Sequence, residues 1–460
     1  MTRLSRRHFL AYSAAAAGSS LLLKACSTGS NGSDTHGSDT HGSDTHGSGS
    51  NTASNLGQPS ASVPATPAAS SDTGDIKVGL LHSLSGALAI SEGPIADAEK
   101  LAIQEINEAG GLLGRQLVPV LEDGASDWPT FAEKAEKLTT QHQAAVLFGG
   151  FTTASRKAIL PVVIAKNKLL WYPGPYEGQE CSSHIFYAGP VANQQIEPAV
   201  NWMLGNRGKS FFLVSNNERT THDIVRKVLK AKGGKVAGEA FVPLANGKIP
   251  DLTPVVNDIK QALPEGGIIF NSLVGSYNRT FFKELKSAGL SAYQYLVMSV
   301  RIGEEDVLQI GKHFLQGHYA TWRYFQTLET PQNETWVTKF KGTYGIDRVI
   351  SDPMESAYTM VHLWAQSVRQ ANSLATSAVR KAAYGQTFQA PSGTVTIQPN
   401  HHLTKPVHIG KIRDDGLFDI LWTAKTDIAP NPWSQRLEAS RGYICNWQDS
   451  EKGEKYLVTS

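Results

Sequence analysis

The residues with the clearest capacity for chemistry lie between Val146 and Gly178, VLFGGFTTASRKAILPVVIAKNKLLWYPGPYEG. The spacing predicts a buried strand (AAVLFGG), a polar loop, an amphipathic helix, and a second strand (KLLWYP) ending in a loop rich in Pro and Gly. Two such units in a parallel sheet set their loops side by side at the carboxyl edge, where open α/β sheets bind ligands. Thr152, Thr153 and Ser155 would then stand beside Tyr172, Gly174, Pro175 and Tyr176, a mouth of hydroxyls, backbone amides and aromatic faces. Such groups can hold a small polar molecule, since hydroxyls both donate and accept, but none of them is a strong nucleophile.

Charge and composition narrow the partners. The 460 residues carry 43 basic against 41 acidic side chains, so there is no excess of positive charge for a nucleic-acid backbone. An apolar fraction of 40% suits two or three domains with their own cores. The chain has no HExxH, GxSxG or phosphate-binding glycine loop and no paired Cys-His spacing, so no catalytic residue, metal or cofactor is expected. An amide hydrolase built on a less regular arrangement stays open.

Residues 1–26 read as an export signal: Arg3, Arg6 and Arg7, an apolar run from Ala11 to Leu23 too short to span a membrane, then Lys24-Ala25-Cys26. Ser5-Arg6-Arg7-His8-Phe9-Leu10 resembles the twin-arginine export motif. Leu23-Lys24-Ala25-Cys26 resembles the bacterial lipoprotein box, which implies acylation of Cys26, although that box usually has a small residue in place of Lys24. A plain secretory signal cut elsewhere is the alternative. Residues 27–74 contain almost no large apolar side chain and read as a flexible tether. Within it Ser-Asp-Thr-His-Gly occurs three times in succession from Ser33 to Gly47, either a loose metal-binding tract or, favoured here, a solvated spacer.

The remainder alternates strand and helix. Ile76–Leu81, Leu117–Glu122, the strand at Val146 and KLLWYP form a first run. FFLV after Ser210, a strand near Val236, GIIFN and YLVMS form a second. Two runs predict two α/β lobes, each on a parallel sheet. A long helix from Met354 to Gln370 and hairpin-like strands at GTVTIQ, HIGKIR and FDILW follow.

This order resembles the periplasmic substrate-binding proteins of ABC importers, and within them the branch of urea-binding and short-chain-amide-binding receptors. The likeness is carried by HSLSGALAISE (82–92), EINEAGGLLGR (105–115), EDGASDWPTFAEKAEKL (122–138), ASRKAILPV (154–162), YEGQE (176–180) and NQQIEPAVNW (193–202). It continues through HYATWRYFQTLETP (318–331), SDPMESAY (351–358), KAAYGQTFQAPSGTV (381–395) and RDDGLFDILW (413–422). The resemblance implies a type I periplasmic-binding fold: lobe one from 75–195 plus 326–391, lobe two from 196–325 plus 392–435, and a tail from 436–460. The chain would cross between lobes near residues 196, 325 and 392, and the lobes would shut on a small nitrogen-containing solute for delivery to membrane permease subunits. A cytoplasmic sensor of the same fold is the alternative that lacks a leader.

For the site, the resemblance places a ligand-bonding hydroxyl at Thr153 and a packing tyrosine at Tyr172, with Ser85, Thr152, Tyr176 and Tyr319 on loops or strands near them. It brings Asp352 and Glu355 close to the cleft and gives Glu177 a supporting role. The second lobe departs from the pattern: relatives have Ser-Asp-Tyr, an aromatic and Pro after the FFLV strand, whereas this chain has Ser215-Asn216-Asn217-Glu218-Arg219. Tyr277 and Arg301 are also unlike the family. Glu218 could pair a guanidinium-like ligand, Glu218 and Arg301 could read the two ends of a zwitterion, or the two could pair with one another. Two cysteines remain after the leader. Cys181 in YEGQEC and Cys445 in GYICNW match family positions consistent with a disulfide between them.

Overall fold

A computed structural model describes residues 74–216, 218–244, 249–449 and 453–457. The export signal, Cys26, the tether with its repeats, and Asn217 lie outside the described residues.

The first run comprises β1 (Ile76–His82), α1 (Ala89–Glu108), β2 (Leu117–Asp123), α2 (Trp128–Thr140), β3 (Val146–Gly149), α3 (Thr153–Ala165), β4 (Leu170–Tyr172) and β5 (Ile185–Tyr187). These strands form one parallel sheet in the order β2-β1-β3-β4-β5. Strands such as VLFG are apolar throughout because helices cover both faces. Pro129 sits in the first turn of α2, where its missing N–H costs nothing, and Asp127 caps that helix by accepting from the Thr130 amide at 3.0 Å.

The second run comprises α4 (Ile196–Asn206), β6 (Ser210–Ser215), α5 (Arg219–Ala231), β7 (Lys235–Phe241), α6 (Thr253–Ala262), β8 (Gly267–Ser272), α7 (Ser276–Ser287), β9 (Tyr295–Ser299), α8 (Glu304–Ile310), α9 (Lys312–Leu315) and β10 (Tyr319–Trp322). Its parallel strands order as β7-β6-β8-β9-β10, the same pattern as the first sheet. Each lobe therefore reverses strand order once, between β1 and β3 and between β6 and β8, the position at which open α/β sheets bind ligands.

After β10 the chain returns to the first lobe as α10 (Pro331–Tyr344), α11 (Asp352–Ala371), α12 (Thr376–Ala383) and a small sheet of β11 (Thr387–Ala390), β12 (Gly393–Ile397) and β13 (Leu403–Thr404). It then adds antiparallel β14 (His408–Ile412) and β15 (Phe418–Thr423) to the second sheet and ends in the short pair β16 (Tyr443–Ile444) and β17 (Tyr456–Leu457). The final crossing corrects the expectation. Chain from residue 392 was assigned to lobe two, yet Val395, Ile397 and Leu403 are buried with Ala390, Leu363 and Trp364 in the first lobe's core. The alternating apolar residues of GTVTIQ find their partner surface under α11, so the crossing falls between β13 and β14. Cys181 and Cys445 are joined in a disulfide that fastens the tail to the first lobe.

Candidate functional site

The carboxyl edge of the first sheet is shaped by glycine. Gly149 and Gly150 end β3 with φ of +138° and +73°, and a Cβ on Gly149 would stand 2.0 Å from the Leu81 carbonyl oxygen. The loop therefore turns tightly into α3. Thr152 caps that helix, its hydroxyl accepting from the Ser155 amide at 3.1 Å while Ser155 Oγ accepts from the Thr152 amide at 3.1 Å. Both hydroxyls are thus used locally.

Thr153 points toward the second loop and donates to Glu177 Oε2 at 2.7 Å. Tyr172 and Tyr176 are turned inward. Tyr172 donates to the Phe151 carbonyl at 2.6 Å, and Tyr176 donates to the Glu180 carbonyl at 2.8 Å and meets His402 Nε2 at 2.6 Å. Beneath them the buried Arg156 guanidinium lies 4.3 Å from the Tyr176 ring centroid and 4.9 Å from that of Tyr172, and its Nε donates to Glu180 at 2.7 Å. Burial opposes the charge on Glu180, and the Arg156 partner outweighs it, lowering the carboxyl's pKa. These two tyrosines, expected to touch a ligand, have their hydroxyls committed to bracing the loop. Ser85 donates to Asp123 Oδ2 at 2.7 Å and shapes the loop after β1.

The second sheet presents Ser215 and Ser272, paired across β6 and β8, with Asn271 bonded to Asn278 and Ser299 below them. Glu218 and Arg301 rise from the same edge. Arg301 Nη2 donates to Glu218 Oε1 at 3.0 Å and Nη1 donates to the Pro175 carbonyl at 2.6 Å, so one guanidinium joins the second lobe to the first. Arg301 is 4% exposed, and its Nε–H has no partner among the described residues. Burial raises the Glu218 carboxyl, Arg301 works against that rise, and nearby Glu177 adds to it. Thr153, Glu177, Pro175, Glu218 and Arg301 are therefore brought together.

Four expected contacts stand elsewhere. Tyr277 is buried in the second lobe's core with Phe281 and Phe282. Tyr319 accepts from Arg207 Nε at 3.0 Å and packs beside Trp202 under α4, because its place in β10 directs the ring to the helical side of the sheet. Asp352 accepts from the Arg323 amide at 3.0 Å, and Glu355 accepts from Ser392 Oγ at 2.7 Å and pairs with Lys405, all fully buried where the chain crosses between lobes. They tie the crossings together. Gln195 completes that region by donating to the Val300 and Thr321 carbonyls at 3.1 and 2.8 Å.

Sequence reasoning passed over a second set of bonds between the lobes. Ser91 donates to Asp306 Oδ1 at 2.6 Å, Gln309 donates to the Ile90 carbonyl at 3.0 Å, and the Ser276 amide donates to the Ala87 carbonyl at 2.9 Å, each bond running between lobes. Val274 is buried in one cluster with Leu88, Phe151 and Tyr324. The only signal in the sequence was the run of small residues after β1, which permits close approach.

The residue pattern described as "Periplasmic binding protein domain" matches residues 76–439, most of the chain. The chain belongs to the periplasmic binding protein family. Its type I fold is shared with a solute binding protein of an ABC transporter from Rhodopseudomonas palustris BisB5 in complex with 3,4-dihydroxy benzoic acid (TM-score 0.67, 19% identity, 77% of this chain and 99% of that one). It is shared also with the branched-chain amino acid transporter substrate binding protein of Streptococcus pneumoniae in complex with isoleucine (TM-score 0.65, 18% identity, 77% and 100%). Among curated relatives, this periplasmic binding protein is 24% identical over 194 residues to "Leu/Ile/Val-binding protein homolog 6" of Brucella suis, covering 40% of this chain and 48% of that protein. It is 36% identical over 151 residues to a protein named "Limonene hydroxylase" from Geobacillus stearothermophilus, covering 33% and 27%. The chain thus spans about a quarter to a half of the length of these curated relatives. Among the described residues no helix is long and apolar enough to cross a membrane, and no group of His, Cys, Asp and Glu could hold a metal ion.

Proposed function

We propose that this chain is the extracytoplasmic solute-binding component of an ABC importer. It captures a compact nitrogen-containing solute, urea or a similar small amide, between its lobes and passes it to permease subunits. The observation that carries this reading is the meeting of Glu218, Arg301 and the Pro175 carbonyl where the carboxyl edges of two like-ordered sheets face each other. A carboxylate accepts amide N–H groups and a guanidinium donates to the carbonyl, so the pair answers both ends of an amide in a dry crevice. Thr153 and Glu177 add a hydroxyl and a second carboxylate from the opposite lobe. A solute touching both lobes stabilises the shut form, which is how capture is signalled to a permease.

A second reading takes a small amino acid or other carboxylate, supported by the Arg301 Nε–H left for an acceptor. The isoleucine and dihydroxybenzoate complexes of fold relatives are of that class. Thermal melting of purified protein with urea, acetamide, small amino acids and benzoates decides between them, because a ligand that binds only the folded state raises Tm. No shift with any of them ends the solute-capture reading. Anchoring at Cys26 by lipid belongs to the same proposal, and labelling with palmitate followed by membrane fractionation tests it; unlabelled protein in the soluble fraction favours a sensor or a plainly secreted form.

A further inference from the structure

The guanidinium of Arg301 stands where a cationic solute would stand. It is nearly enclosed, it uses two N–H groups on an acceptor from each lobe, and those acceptors are a carboxylate and a carbonyl, the set that recognises guanidinium. Glu177 lies close enough to act on Glu218 electrostatically. Without Arg301 the Glu218 carboxylate and the Pro175 oxygen would both lose their donor.

We propose that Arg301 sets the charge specificity of the crevice: it fills the cation place itself, so the solute must offer a hydrogen-bond acceptor, and the guanidinium analogue of urea is turned away. This rests on the reading of the crevice as the solute site. Two cations cannot share the place, because like charges a few ångströms apart in a water-poor crevice repel strongly. A carbonyl or carboxylate oxygen placed at the buried Nε–H would instead satisfy a donor that has no partner among the described residues. Glu218 therefore acts as the seat of Arg301 rather than as the receptor for a cationic ligand, which takes up the last of the three sequence-based readings for that residue.

The test uses the full chain and titrates methylguanidinium chloride against a sodium chloride control of equal ionic strength. Arg301→Ala, Arg301→Lys and the double variant Arg301→Ala/Glu218→Gln are compared with wild type by calorimetry and melting. Wild type and Arg301→Lys are expected to show no saturable response. Arg301→Ala is expected to bind methylguanidinium at least about tenfold more tightly than wild type, the scale of charge-assisted hydrogen bonds, and the double variant to lose the gain. Saturable binding of methylguanidinium by wild type overturns the proposal, even if Arg301→Ala does not fold. So does an Arg301→Ala protein that folds and gains no cation binding. If Arg301→Ala gains cation binding while wild type responds to no acceptor solute, the charge role of Arg301 stands and the solute-capture reading fails.

Discussion

Lys405 Nζ is paired with Glu355 Oε2, both side chains fully buried, and the pair joins the last interlobe crossing to the first turn of α11. The same lysine donates to Ser356 Oγ at 3.2 Å, and Ser392 donates to Glu355 Oε1. Removing one partner leaves a buried charge uncompensated. Lys405→Met is expected to destabilise the protein by about 3–5 kcal/mol, and Lys405→Met combined with Glu355→Leu by distinctly less. Urea unfolding of the three proteins checks this; equal losses in single and double variants would show that packing, not charge, matters there.

Glu304 gives a pH dependence. It is buried at the start of α8, Oε1 accepts from the Gln326 amide at 2.7 Å, and burial, with Asp352 and Asp306 adding to it, pushes its carboxyl from 4.5 up to about 8. Between those values the folded state holds a proton that the unfolded chain has released. Stability from this group is therefore full below the unfolded value and falls as pH rises toward 8, by at most about 1.4 kcal/mol per pH unit. Glu304→Gln is expected to flatten that decline and to be more stable than wild type at pH 9. Denaturant midpoints at pH 6 and pH 9 measure it, and parallel pH profiles for both proteins would refute it.

Closure should depend on the bonds that Ser91 and the Gly275 turn make between lobes. Ser91→Ala removes the donor to Asp306, and a methyl at Gly275, which has φ of +55° and whose Cβ would lie 2.4 Å from the Ala87 carbonyl oxygen, blocks the approach of the two loops. Ser91→Ala is expected to cost the shut form about 1–3 kcal/mol. Gly275→Ala is expected to cost more. Small-angle scattering should show a larger mean radius for both, with unchanged stability of each lobe's core; an unaltered radius would place the closing energy elsewhere.

Cys181→Ser/Cys445→Ser opens a covalent link across 264 residues. A loss of about 2–5 kcal/mol is expected. Trp433 shares the cluster around the bridge, so its emission should also shift on reduction. Denaturation with and without reductant, followed by tryptophan fluorescence, gives both readouts.

The strands and long helices were plain in the sequence because helix-covered parallel strands are continuously apolar and the helices are amphipathic, as with VLFG and with Asp352–Ala371. The loops of the candidate site were less so. Thr152 and Ser155 read equally as ligand groups or as a cap, and only the geometry of α3 shows them bonded to each other. Tyr172 and Tyr176 follow a sheet edge in sequence, but the buried Arg156 beneath them draws their rings inward. Pairing of Glu218 with Arg301 was one of three open readings, since 83 positions separate them and spacing cannot choose among them. The destination of GTVTIQ was invisible for a like reason: a two-residue period says that one face is buried and not which lobe buries it.

The disulfide has a mechanical corollary. β1, through which the described chain begins, is a central strand of the first sheet, and the bridge secures the C-terminal segment to that same half. The first described strand and the bridged segment thus belong to one lobe, while the other is inserted between them and is held by the crossings together with the Arg301, Ser91 and Gln309 bonds. Pulling on the described chain at β1 or at Cys445 would therefore load the first lobe directly and reach the second only through those crossings and bonds.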